Sequence, residues 1–177
     1  MGKPALKWEL IGIIFIAVLG SFLHFAFDLS RQWPPLALIA AVNESVWEHL
    51  KLGFWPALFY ALIEYKCLRK STNNFLFAKV TCLYLIPISI TVLFYLYTAF
   101  VEDMIVADIT IFILAIVTGQ VTGYYLLSRR KLPERLRALT IVALAISVLV
   151  FALLTFFPPH LPIFRDPISG EYGIPKT

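Results

Sequence analysis

The sequence predicts an all-α fold, a polytopic helical bundle of about five transmembrane helices, and three observations predict it. Of the 177 residues, 60% are hydrophobic and the mean hydropathy is +0.82, leaving too little polar surface for a soluble domain. The apolar residues fall in runs of about 20, the length a helix needs to cross ~30 Å of hydrocarbon. The basic residues gather in short loops between those runs, as in membrane topology. One compact bundle, residues 1–177, suits this length better than two domains.

The first span is expected over 7–29. It is too long for the apolar segment of a signal peptide, and no small-residue cleavage site follows it. The second, 44–65, contains Gly53 and Pro56, and the third, 75–100, contains Pro87. Interior prolines are tolerated in membrane helices because neighbouring groups satisfy the freed carbonyl. The fourth covers 104–127. The fifth covers 136–157 and stops at Pro158-Pro159. Leu36 to Val42, after Pro34-Pro35, is apolar but too short to span, so it is interfacial or re-entrant. The tail, 158–177, holds a turn at Asp166-Pro-Ile-Ser-Gly. Its Ile163, Phe164, Tyr172 and Ile174 predict packing over the outer mouth of the bundle.

Orientation follows from the basic residues. Lys3, Lys7, Lys66, Arg69, Lys70, Lys79, Arg129, Arg130, Lys131, Arg135 and Arg137 fall at one face, leaving Arg31, Lys51, Arg165 and Lys176 at the other. The first face is expected to be cytoplasmic, with the N-terminus there and the C-terminus extracytoplasmic, in a multi-pass protein of the cell membrane. Nothing in the sequence suggests a nucleic-acid partner; the net charge of +4 comes from the loops. Cys67 and Cys82 lack CxxC spacing and predict buried apolar thiols, not a disulfide framework. Gly2 is followed by Lys-Pro-Ala-Leu, without the Ser/Thr of an N-myristoylation motif.

The candidate site lies at the outer face. All three histidines, His24, His49 and His160, fall there, together with Asp28, Glu44, Glu48, Glu102, Asp103, Asp108, Asp166 and Glu171. His24 and Asp28 are four apart and share a helix face, so Asp28 is expected to orient His24. Asn43 is the expected N-cap of the second span, with Glu44 in its first turn and Trp47 at the interface. Glu48, His49 and Lys51 continue into the span, where charged groups usually face a bundle interior or a water-filled cavity. His24, His49, His160 and Glu44 are the candidate metal ligands; Glu48 is an alternative ligand. Histidine and carboxylate ligands suit a divalent metal, zinc first. Glu48, Asp28 and Lys51 are the candidate catalytic groups, Lys51 as stabiliser of an anionic group. Asn43, Asp108 and Asp166 complete the expected polar cavity. Elsewhere, Glu64 is expected to snorkel or pair near Lys66, and Thr118 to Gly123 to serve helix packing.

Leu23-His24-Phe25-Ala26-Phe27-Asp28, the string Asn43-Glu44-Ser45-Val46-Trp47-Glu48-His49-Leu50-Lys51 and the closing segment from His160 resemble a family of small, uncharacterised prokaryotic integral membrane proteins. That resemblance implies the importance of the outer face and no activity. A looser one, to alkaline ceramidases, implies a zinc-dependent hydrolase embedded in the membrane, although this chain lacks their paired HxxxH. The functional expectation is a metal-binding hydrolase acting on a lipid or lipid-linked substrate. A small transporter or channel component and a non-catalytic subunit of a homo- or hetero-oligomeric membrane complex are the alternatives.

Overall fold

The computed structural model describes residues 3–129 and 131–175. Gly2, Arg130 and Lys176, which enter the lipidation and orientation arguments, lie outside the described residues. The chain forms five long helices: α1 (Lys3–Leu29), α2 (Val46–Leu68), α3 (Phe75–Thr98), α4 (Ile105–Leu127) and α5 (Glu134–Phe156). Among the described residues there is no strand, only an antiparallel bridge between Arg165 and Tyr172. Successive helices run antiparallel. His24 of α1 meets His49 of α2 at one end, and the backbone of Trp8 meets Tyr60 nearer the other. Cys82 of α3 likewise pairs with Gly119 of α4, and Tyr97 with Asp108.

Four helices, α1, α3, α4 and α5, are long and apolar enough to cross a membrane. Their outward faces carry exposed apolar side chains such as Ile14, Val18, Ile109, Val121 and Leu149. The fifth, α2, spends its length differently. Of its 23 residues, 14 are buried, against four of the 23 in α5. It is the central strut, and it carries Glu48, Lys51 and Glu64 into the interior. Its prolonged contact with α1 and α3 supplies the pairing that lipid would not.

The 31–45 connection is not an extended helix. A short 3₁₀ turn, Pro34–Leu38, is followed by irregular chain. Ala37, Ala40, Ala41 and Val42 are buried against Leu23, Ala26, Phe27 and Leu52. Small side chains allow the backbone to lie directly on α1 and α2. Before it, α1 ends in a Schellman turn: Gln32 N–H donates to Phe27 O and Arg31 N–H to Asp28 O, with Arg31 at φ 58°.

The tail folds back over the same end. Phe164 packs on Trp47, which also stacks on Phe151 of α5 at 4.8 Å. Trp47 is thus a 9% exposed core residue, not an interfacial one. Asp166 accepts from the amides of Ile168 and Ser169, and Gly170 at φ 77° closes the turn.

Candidate functional site

The first turn of α2 is built differently from the sequence expectation. The helix starts at Val46, and Asn43 is not its cap. Asn43 Oδ1 accepts from Ser45 N–H in an Asx turn, and its Nδ2 donates to Gly173 O at 2.8 Å, tying the tail to this loop. Asx-turn geometry competes with capping because both use the same side-chain oxygen. The result places Glu44 outside the helix, free to reach α1.

Glu44 reaches both histidines. Its Oε2 lies 3.5 Å from His24 Nε2 and 3.5 Å from His49 Nε2, and the two Nε2 atoms are 3.2 Å apart. A tetrahedral centre with bonds of about 2.0–2.1 Å separates its ligand atoms by ~3.3–3.4 Å. The three atoms therefore form a triangle matching one face of such a centre. Among the described residues, these three are the group of His, Cys, Asp and Glu side chains with metal-ligand spacing.

The tautomer of His49 is set by its partner. Nδ1 is 2.9 Å from Ser45 O, and a carbonyl only accepts, so Nδ1 carries a proton and Nε2 is the nitrogen left to serve as a ligand. Metal-binding histidines commonly use this backbone anchor. His24 is held in place by α1, and its ring packs on Phe25 at 4.7 Å. Its Nδ1 is buried with no hydrogen-bond partner among the described residues.

The hydrogen bond to His24 holds the Glu44 carboxyl below the ordinary carboxylate range, against burial and the Asp166 carboxylate, which oppose the shift. Burial alone would raise Asp166. The Ser169 hydroxyl and the amides of Ile168, Ser169 and Glu44 outweigh it and keep Asp166 ionised. Asp166 is thus a second anionic group beside the triangle, already committed to the tail turn.

The remaining expected residues are arranged otherwise. His160 stands apart in the tail, exposed and stacked on Tyr172 at 4.6 Å. Pro158-Pro159 ends α5 and carries the chain away before the histidine can turn inward. Asp28 is exposed, and no hydrogen bond joins it to His24 among the described residues. The His24 ring is turned toward α2, away from the solvated end of its own helix. Glu48 Oε2 accepts from Lys51 Nζ at 2.6 Å and from Val42 N–H at 3.0 Å. Lys51 Nζ donates further to Ala37 O at 2.7 Å and Thr155 Oγ1 at 3.1 Å. Both are buried, and together they fasten α2, α5 and the 31–45 segment beneath the triangle. Asp108 shares the Tyr97 hydroxyl with Asp103, each with Oδ1 at 2.6 Å.

A second charged cluster was not anticipated. Lys79 Nζ lies 2.6 Å from Glu9 Oε1 and 2.5 Å from Glu64 Oε2, all three buried. Glu64 pairs with Lys79 of α3 and does not snorkel near Lys66, because its side chain points into the bundle, where it is 0% exposed. The sequence signal was there: each residue sits about a turn or more inside an apolar helix, at the same end.

No curated protein and no solved structure matches the chain. A family model matches residues 2–174, nearly the whole of it. The chain belongs to that family, a family of unknown function (DUF6512).

Proposed function

We propose that His24, Glu44 and His49 bind a divalent metal, zinc first, at the outer end of a multi-pass membrane protein. The observation that carries this reading is the triangle of 3.2, 3.5 and 3.5 Å between two imidazole nitrogens and a carboxylate oxygen. Three protein ligands leave a fourth position open, the arrangement of hydrolytic rather than structural zinc sites. A metal there supplies Lewis acidity, and the reaction class we assign is hydrolysis of a lipid-like or lipid-linked substrate. Its place beside apolar helices supports the substrate class. Glu48 and Lys51 act as positioning residues in this reading, since their charged atoms are already committed to each other. Asp28, His160, Asp108 and Asp166 do not hold the metal.

Elemental analysis of the detergent-purified chain, prepared without chelators, tests this. We expect one metal per chain in the wild type and its loss in His49→Ala, with Glu44→Gln weakening retention. A metal-free wild type, or a metal retained in His49→Ala, overturns the reading.

A second reading, a small transport component, is supported by the buried Glu9–Lys79–Glu64 cluster at the opposite end. Substrate flux into liposomes, abolished by Glu64→Gln and kept in His49→Ala, would favour it.

A further inference from the structure

The cluster of Glu9, Lys79 and Glu64 lies far from the histidine triangle. Along α1, Glu9 and His24 are 15 residues apart, or about 22 Å at ~1.5 Å per residue. The three residues come from three helices, α1, α3 and α2, and are 2%, 4% and 0% exposed. Nζ of Lys79 sits between one oxygen of each carboxylate. The other oxygens, Glu9 Oε2 and Glu64 Oε1, are buried with no hydrogen-bond partner among the described residues.

Among the described residues, the groups around the cluster supply no second cation. The titratable neighbours are Tyr60 of α2 and Cys82 of α3. Tyr60 gives its hydroxyl proton to Trp8 O, and Cys82 gives its thiol proton to Gly119 O. From α4 come the uncharged Gln120, whose amide points to the Glu9 backbone carbonyl, and Gly123, which faces both Glu9 oxygens without a side chain. Two ionised carboxylates against one ammonium would leave a net negative charge in an apolar interior. Such a charge is neutralised rather than carried.

We infer that Glu9, Lys79 and Glu64 form a proton-binding site, in which the two carboxylates hold one exchangeable proton and the cluster is neutral at neutral pH. The ligand is a proton and not a metal ion. Hard divalent cations take six to eight oxygens. This cluster offers four carboxylate oxygens, of which two already face Lys79. Loading is the transfer of a proton from water to a carboxylate oxygen, with no other bond made or broken. The arrangement gives the protein an exchangeable proton within the bundle, independent of the metal site.

Infrared spectroscopy of the full chain, in lipid nanodiscs and with glutamate ¹³C-labelled at the side-chain carboxyl, tests this. The label separates glutamate from the Asp103 and Asp108 carboxyls near Tyr97. We expect a labelled protonated-carboxyl C=O band at neutral pH that shifts in D₂O. Glu64→Gln and Glu9→Gln each leave a one-to-one pair, so each should abolish the band. Lys79→Met leaves two neutral carboxyls and should roughly double it. Absence of the labelled band in the wild type at neutral pH overturns the proposal. So does a band that survives both glutamine variants, or one that appears only after sodium, potassium and divalent ions are removed. If a variant does not fold, absence of the labelled wild-type band still overturns the proposal, and His49→Ala should leave the band unchanged.

Discussion

His49 illustrates how a single carbonyl decides a side chain's chemistry. Ser45 O accepts from Nδ1, and so leaves Nε2 facing His24 and Glu44. Glu48, one residue earlier, points elsewhere and is neutralised by Lys51 in a fully buried pair. Removing one partner of such a pair strands the other charge and costs about 3–5 kcal/mol, whereas removing both together is often close to neutral. We therefore expect Glu48→Gln and Lys51→Met each to lower the thermal unfolding midpoint of the detergent-purified protein sharply. The double variant should recover most of the loss, and a strictly additive double variant would contradict the pairing. At this scale the sequence was informative about residue type and poor about partners. His24, Glu44 and His49 were all candidates by composition and spacing. Their convergence depends on an Asx turn at Asn43 that displaces the helix start, and no spacing rule distinguishes that from an N-cap.

At the scale of elements, the long apolar runs were legible because a spanning helix has one length and one composition. The exception is α2, whose charges make it less apolar than its neighbours and whose burial reveals why. The short segment after α1 was legible as non-spanning, but its path was not. Its buried alanines at 37, 40 and 41 have helical spacing over too short a run to define a path, and they pack because they are small. Glycine does similar work between α3 and α4, the most extensive helix pair. A Cβ added at Gly119 would sit 2.7 Å from Cγ1 of Ile86, and one at Gly123 would meet the Cys82 sulfur. This is the small-residue packing that Thr118 to Gly123 suggested. We expect Gly119→Val to force α3 and α4 apart at a cost of about 1–3 kcal/mol. A midpoint equal to wild type in thermal unfolding would show that the contact can yield freely.

Across the whole molecule, the two charged assemblies sit at opposite ends of one bundle, the histidine triangle beneath the tail and the Glu9–Lys79–Glu64 cluster beside the opposite loops. Which end faces out is a question of topology, and the basic residues give an expectation to test: Lys66, Arg69, Lys70, Arg129 and Lys131 lie at the cluster's end, which is then the end expected inside. The same expectation has α2 cross, although among the described residues α1, α3, α4 and α5 are the helices apolar enough to cross unaided. A charged helix crosses when others wrap it, and α2 has its buried Glu48, Lys51 and Glu64 paired internally. Cysteine labelling separates these cases. Against the expectation of two buried thiols, Cys67 is exposed just before the end of α2; Cys82 is buried as expected and should stay silent. Trp33→Cys and Ile168→Cys place probes at sites 59% and 81% exposed, before α2 and in the tail, each in a background lacking Cys67. An impermeant maleimide applied to intact cells should label positions 33 and 168 and spare Cys67 in the wild type until the membrane is opened. Labelling of Cys67 alone would reverse the orientation and put the triangle inside. Positions 33 and 67 reacting from the same side would mean that α2 does not cross, and the bundle would then have to be rebuilt around four spans.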